Sequence, residues 1–136
     1  AARAAAEGME LMHAAASNGE IEHIETAFVN GWKLDKLDSD GITPLHAAAA
    51  SNQGAAITKL LGLGAEKNAR SRDDNSTALH IAAAVDAARA ISALVSAGSL
   101  LEVTDSNGRT ALHVAALLGG LHAIRELVAA GASLQA

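Results

Sequence analysis

Histidine is the residue type in this chain whose chemistry first suggests a functional site, because an imidazole can hold a metal ion or carry a proton. Four of the six histidines follow Leu or Met at spacings of 33, 34 and 33 residues: His13, His46, His80 and His113. Zinc–nitrogen bonds are ~2.0 Å long, whereas packed helices lie ~8 to 10 Å apart. Equivalent histidines on neighbouring helices therefore do not converge on one ion. We expect each to bond the cap threonine or the turn backbone at the start of its own helix.

Two Glu-x-x-His pairs, Glu10 with His13 and Glu20 with His23, have a pattern that binds iron in di-iron helix bundles. Such sites need long facing helices, so we interpret these pairs as an acidic, solvated face. The sequence also contains no Cys, no Gly-x-Ser-x-Gly turn and no Gly-rich phosphate loop, which removes the common nucleophile and nucleotide motifs. It predicts a protein that is not an enzyme and has neither a cofactor nor a metal.

The elements that position these residues are built mostly from alanine, which accounts for 34 of the 136 residues. The chain has one Trp, one Phe and no Tyr, so the large aromatic side chains that dominate most cores are missing. Alanine has the best helix propensity and loses no side-chain entropy on burial. The composition therefore predicts a thin core between short, closely packed helices.

The net charge of −5 is concentrated at one end of the chain. Residues 1–40 hold eight acidic and three basic side chains, and residues 41–136 hold seven of each. Nucleic-acid binding needs clustered Lys and Arg, with aromatic side chains for single strands, so we expect no nucleic-acid partner. We also expect no membrane insertion, an intracellular location, cytoplasmic or nuclear, and, because the chain begins at Ala1 without Met, a piece of a longer protein.

A second series of residues repeats in phase with the histidines. Gly31, Gly64, Gly98 and Gly131 are again separated by 33, 34 and 33 residues. Two independent markers in phase over four periods indicate an array of four repeated units.

Each unit is predicted to be a turn followed by an antiparallel helix pair. Thr43 can cap a first helix, and Pro44 suits its first position because the missing N–H costs nothing there. Breaks follow at residues 52–54, at Asp86 and at residues 119–120, and each second helix ends at one of the repeating glycines. Its apolar stripe has i, i+3, i+4 spacing. The stripes are Ile57, Leu60 and Leu61; Ile91, Leu94 and Val95; and Ile124, Leu127 and Val128.

Residues 38–48, which include Thr-Pro-Leu-His at 43–46, carry a family resemblance. The pattern resembles the ankyrin repeat, whose signature is Thr-Pro-Leu-His-x-Ala at a period of 33 residues, and it covers roughly residues 8–136. The resemblance implies one all-α domain, an ankyrin-repeat solenoid of four helix-turn-helix units joined by β-hairpin-like loops. The approximate boundaries are 1–37 for unit 1, which resembles an N-terminal cap, 38–71 for unit 2, 72–104 for unit 3 and 105–136 for unit 4.

Units 3 and 4 depart from the family pattern. Unit 3 has Asn75 in place of the turn glycine and one extra residue within 70–74, which predicts a longer and more exposed hairpin tip. Unit 4 has the sequence of an interior unit, since Leu117, Leu118 and Leu121 are apolar. The last unit of an array needs a polar outer face. We therefore expect that further repeats, a partner or a second copy covers this end.

The resemblance implies a non-catalytic protein-protein interaction module, an adaptor or scaffold that binds a protein or peptide with its hairpin tips and first helices. The alternative is a structural or regulatory segment of a larger enzyme, ligase or channel. We expect Arg72, Arg109, Val85 and Leu117 to contribute most, although Leu117 and Leu118 are equally well explained by contact with a fifth unit. The candidate binding residues are Ser39, Asp40, Ile42, Arg72, Asp73, Asp74, Ser76, Val85, Ser106, Asn107, Arg109, Leu117 and Leu118.

One hairpin asparagine has a second interpretation. Some members of the family are hydroxylated at such residues, and Leu60, Glu66 and Asn68 resemble the spacing found there. The simpler reading, which we favour, is an asparagine that bonds its own turn.

Overall fold

The structure, a computed structural model, describes residues 11–132, and all of its regular secondary structure within that range is helical. The described part of the first helix, α1, covers residues 11–18. The other helices are α2 (Ile21–Val29), α3 (Pro44–Ala50), α4 (Gly54–Gly62), α5 (Ala78–Ala84), α6 (Ala88–Ser96), α7 (Ala111–Leu118) and α8 (Leu121–Ala129).

The helices form two layers. In one layer α3 packs on α5 and α5 on α7, and in the other α2, α4, α6 and α8 follow one another. Within a unit the two helices also contact each other, as α3 does with α4, α5 with α6 and α7 with α8. This is the predicted solenoid of helix pairs, in which each unit is covered by its neighbours.

The first helices begin as their sequence predicts. Thr43 is extended, with φ −89° and ψ 167°, and its hydroxyl accepts a hydrogen bond from the His46 N–H. The His46 ring in turn accepts from the Thr43 N–H, so two backbone donors are satisfied reciprocally at the helix start. The same reciprocal cap starts α5 at Thr77 and α7 at Thr110. Pro44 occupies the first turn of α3, as expected.

The second helices end at the repeating glycines. Gly64 follows Leu63, the C-cap of α4, with φ +109°, a conformation that glycine adopts without steric cost. Gly98 and Gly131 also have positive φ at the ends of α6 and α8. The predicted left-handed helix ends are therefore confirmed.

The core is a thin layer rich in alanine. Ala48, Ala49, Ala82 and Ala83 are fully buried where first helices stack, and their small side chains let the helices approach closely. The larger side chains come from the second-helix stripes and include Ile57, Leu60, Ile91, Leu94 and Leu127, all fully buried. Val128, the last residue of the third stripe, is 55% exposed because no element of the described chain packs over α8 as α6 packs over α4.

Candidate protein-binding surface

Three hairpin tips project from one edge of the solenoid: tip 2 (residues 38–42), tip 3 (residues 71–76) and tip 4 (residues 105–109). In tip 2 the Asp38 N–H donates to the Ile42 carbonyl at 2.9 Å. The Asp38 carboxylate accepts from the N–H groups of Asp40 and Ile42, and Gly41 turns the chain with φ +76°. Tip 4 repeats these bonds from Asp105, so both tips are held by their own aspartate.

Tip 3 is one residue longer, as predicted. The Ser71 N–H donates to the Ser76 carbonyl at 2.8 Å, and this bond closes the turn between residues five positions apart. The corresponding bonds of tips 2 and 4 join residues four positions apart. Asn75 takes the left-handed position with φ +60°. The Ser71 hydroxyl donates a hydrogen bond to the Asp74 carboxylate at 2.7 Å. This bond holds the pKa of the Asp74 carboxyl below its usual value.

Backbone bonds join the tips into one row. The Arg72 N–H donates to the Gly41 carbonyl, and the Ser106 N–H donates to the Asp74 carbonyl, both at 2.9 Å. The tips therefore hold each other in place through backbone groups, and the side chains of Arg72 and Ser106 at these two contacts stay exposed.

Three of the phased histidines, His13, His46 and His80, each link their unit to the next one. The Thr43 N–H can only donate, so Nδ1 of His46 accepts its bond at 3.2 Å and Nε2 carries the proton. His46 Nε2 then donates to the Ser76 carbonyl of tip 3 at 2.8 Å. Burial lowers the pKa of His46 below its ordinary value of 6.5, although the bond to Ser76 opposes the shift. The ring is thus held neutral in a buried bridge between units.

This bridge recurs along the solenoid. His13 Nε2 bonds the Ile42 carbonyl at 2.8 Å, and His80 Nε2 bonds the Arg109 carbonyl at 2.7 Å. The sequence correctly predicts the bond of His46, His80 and His113 to a cap threonine but misses the longer-range partner. The repeat of the histidines at 33 or 34 residues was the available signal, because a residue repeated in phase can contact the same position of the next unit.

A second bridge between units caps the second helices. Asn52 and Asp86 both have φ +56°, at the break after the first helix. Asn52 Oδ1 accepts from the Ala90 N–H near the start of α6, at 3.0 Å, and Asp86 Oδ1 accepts from the Ala123 N–H of α8, at 2.7 Å. Sequence reasoning identified these residues only as breaks, because their partners are 38 and 37 residues away.

The predicted binding residues are mostly exposed. Val85, Leu117 and Leu118 are at least half exposed, whereas Ile42 is half-buried. Ser76 is 6% exposed, and its carbonyl accepts from His46 inside the stack, so its side chain offers little area to a partner. The exposed tip residues are Ser39, Asp40, Arg72, Asp73, Asp74, Ser106, Asn107 and Arg109.

A shallow depression of about 170 Å³ lies between tips 3 and 4 and the two first helices behind them. Four residues of the predicted set line it, together with Asp105 and Ala84: Asp74, Ser76, Asn107 and Arg109. Arg72, Val85 and Leu117 are not among its lining residues. The depression therefore brings carboxylates and a guanidinium to a small apolar floor.

Asn68 has a structural partner in the next unit. Its Oδ1 accepts from the Leu100 N–H at 3.2 Å, and its own N–H donates to the Glu66 carboxylate, also at 3.2 Å. The side chain therefore bonds the following hairpin and not its own turn, which corrects the simpler reading of this residue.

No group of three metal-ligating side chains lies together within residues 11–132. None of the helices described in that range is long and apolar enough to cross a membrane.

The two-layered stack of capped helix pairs defines a repeat solenoid with a row of exposed tips. A family model for ankyrin repeats, in three copies, matches residues 2–71 and 51–136. The chain belongs to the ankyrin-repeat family, whose members serve generally as protein-protein interaction modules.

Two relatives are the SH3 and multiple ankyrin repeat domains protein 1 of Homo sapiens and of Mus musculus. Each is 39% identical to this chain over 62 residues, which is 46% of this chain. The match spans 3% of the length of each relative.

Proposed function

We propose that this chain is a non-catalytic adaptor module that binds a protein or peptide across tips 2 to 4 and the exposed ends of the first helices. Arg72 and Arg109 supply charge at the tips, and Val85 and Leu117 supply apolar contact beside them. Arginine is enriched among residues that dominate binding energy. The ligand best suited to this surface is an extended segment with carboxylates for the arginines and aliphatic side chains for the helices.

The proposal is supported by one observation about the tips: backbone groups make the contacts between units, and the two arginine side chains stay exposed. Their backbone groups bond the neighbouring units, as the Arg72 N–H does with Gly41 and the Arg109 carbonyl does with His80. The side chains of Arg72 and Arg109 are exposed and form no ion pair with any described residue. Folding therefore uses the backbone of these two residues and leaves their side-chain chemistry to a partner.

The test is affinity capture and mass spectrometry with the native chain and with the triple variant Arg72→Ala, Arg109→Ala and Leu117→Ser. We expect the variant to lose the partners that the native chain retains while its helical circular dichroism is unchanged. Unchanged capture by the variant would contradict the proposal.

A matched control variant carries the same kinds of substitution on the second helices: Arg89→Ala, Arg125→Ala and Val29→Ser. All three side chains are exposed on α2, α6 or α8, in the other layer of the stack. We expect this control to retain every partner. Equal loss in both variants would indicate a general effect of charge and not a binding surface.

A second candidate is a structural or regulatory segment of a larger protein. The two relatives favour it, because the matched segment is a small fraction of their length. Comparison of the isolated chain with the product of its complete gene distinguishes the two: an adaptor captures the same partners in both forms, and a spacer captures none alone.

A further inference from the structure

One residue of unit 1 breaks the pattern of the repeat. The residue after the repeating glycine is small in three units, Ala65, Ser99 and Ala132, but it is Trp32 in unit 1. Ala65 and Ser99 are 8% exposed, which shows that the scaffold needs only a small side chain there. Trp32 is half-buried at the edge of the core. The helix pair does not require an indole at this position, and it is the only one in the chain.

Trp32 lies in an open groove of about 640 Å³ at the end of α2. Phe28, the only phenylalanine, lines the same groove and is 39% exposed. Leu34 completes its apolar lining. The chain thus places both of its aromatic side chains at one surface, well separated in sequence from the tips of units 3 and 4.

The rim of this groove is basic. Lys33 and Lys36 line it and are exposed, and neither forms an ion pair with the described residues. The equivalent positions are Glu66 and Ala69 in unit 2, so this charge also belongs to unit 1 alone. Asp35 is the one acidic residue of the lining, and its Oδ1 already accepts from the Glu66 N–H at 2.9 Å.

We propose that this groove is a second docking site, which takes a short acidic peptide segment of another protein with a bulky apolar side chain. The apolar side chain packs on Trp32 and Phe28, and a carboxylate on each side of it meets Lys33 and Lys36. Tryptophan is enriched at the anchors of interfaces because one rigid ring buries a large area at small entropic cost. The site is distinct from tips 2 to 4, so the chain can hold two partners or two parts of one partner.

Charge favours a short acidic peptide over a longer polyanion. Binding to a nucleic-acid backbone needs several cations along the strand, and this groove offers two. Three exposed glutamates lie at the start of the adjacent α2 or along it: Glu20, Glu22 and Glu25. Glu25 is paired with Lys59 at 2.8 Å. A strand of phosphates that extended beyond the two lysines would meet like charge.

The single indole is a direct reporter for the test. The probe is the synthetic peptide acetyl-Ala-Glu-Leu-Leu-Glu-Ala-amide, titrated into the native chain while Trp32 emission is followed. We expect a saturable change in emission that weakens with added salt, since the contacts are exposed ion pairs. The same peptide with Lys in place of Glu is expected to give none. Equal responses to both peptides, or no response to either, would overturn the proposal.

Two sets of variants locate the binding. Lys33→Glu with Lys36→Glu is expected to weaken the peptide affinity at least ~10-fold, because like charges then face each other. The matched control, Arg89→Glu with Arg125→Glu on the other helices, is expected to change it by less than ~2-fold. Equal losses in the two double variants would overturn the proposal.

Trp32→Ala, followed by calorimetry, is expected to abolish peptide binding while the melting temperature is nearly retained, since Ala occupies this position in unit 2. Full binding by a folded Trp32→Ala protein would contradict the proposal, and if that variant does not fold, the lysine variants decide.

The last experiment tests oligothymidylate and phosphatidylserine vesicles as alternative ligands. A response to either that depends on Lys33 and Lys36, without one to the peptide, would assign the groove to a polyanion and refute a peptide site.

Discussion

The carboxylate of Asp86 accepts a hydrogen bond from the backbone N–H of Ala123, 37 residues further along the chain, at 2.7 Å. Ala123 lies in the first turn of α8, where backbone donors have no partner within the helix. A residue in the break between the two helices of unit 3 therefore caps the second helix of unit 4. Asn52 does the same for α6, so the caps of the second helices are shared between units.

We predict that Asp86→Ala lowers the free energy of unfolding by about 2 kcal/mol, roughly half from the lost cap and half from placing Ala at a left-handed φ. Asp86→Asn keeps the acceptor and tolerates that φ, and it is expected to cost about 0.5 kcal/mol or less. Urea unfolding measures both, with the exposed Asp73→Ala as a control. A loss for Asp86→Asn as large as for Asp86→Ala would show that the acceptor is unimportant.

Stability is expected to depend on pH through His46. Its pKa is lowered in the folded protein by burial, so below about pH 6.5 the unfolded chain binds the proton more readily. The free energy of unfolding is therefore level above that pH and falls as the pH drops from 6.5 toward the lower folded pKa. Urea titrations between about pH 8 and about pH 5.5 check this, above the range where carboxylates titrate.

The control for this pH dependence is His122, which is exposed on α8. His122→Gln should leave the slope of stability against pH unchanged. His46→Gln should lower stability at every pH but flatten the slope, because glutamine does not titrate. A slope unaltered by His46→Gln would mean that another group is responsible.

The close approach of tips 2 and 3 can be isolated with two glycines. A Cβ on Gly41 would lie 2.6 Å from Arg72 Cβ, whereas a Cβ on Gly108 would meet no atom within 4 Å. Their φ angles, +76° and +74°, are nearly equal. Gly108→Ala is expected to cost about 1 kcal/mol from backbone strain alone, and Gly41→Ala about 1 to 3 kcal/mol more.

Thermal or urea unfolding of the two alanine variants gives this difference directly. Equal losses would mean that the tips move apart without cost, and the backbone bond between Arg72 and Gly41 would then contribute little to the stack.

The exposed apolar face of unit 4 is expected to promote self-association. Leu118, Leu121 and Val128 are each 55 to 66% exposed, at the end of the stack where a repeat array needs a polar surface. Sedimentation velocity should show association that rises with concentration and weakens when all three become Gln. Val29→Gln, at the 82% exposed position on α2, is the control. A monomer at all concentrations would contradict this prediction.

The sequence predicted the elements well because their causes are local. Thr43 before Pro44 starts a helix, and Gly64 ends one, whatever the rest of the chain does. Asn75 was expected to take a left-handed turn because its short polar side chain tolerates it. Most of the candidate tip residues were likewise found exposed, since they lie outside the repeating pattern.

The failures have a common origin in the contacts between units. Ser76, a candidate binding residue, is mostly buried because its carbonyl is the partner of His46, a contact that the sequence did not predict. Val128 belongs to an apolar stripe in the sequence, but it is exposed because none of the described helices packs over it. Asn68 was expected to bond its own turn and bonds the next hairpin.

By itself, then, the sequence determined the period, the helix starts and stops, the alanine-rich core and the family, because these depend on residues a few positions apart or on repetition along the chain. The tertiary structure alone decided which groups bridge the units, how tips 2 to 4 are held and which apolar side chains are left exposed. A hydrogen bond between residues about one period apart depends on how far each unit rotates and shifts against the next, and that displacement is set by the packing of the whole stack.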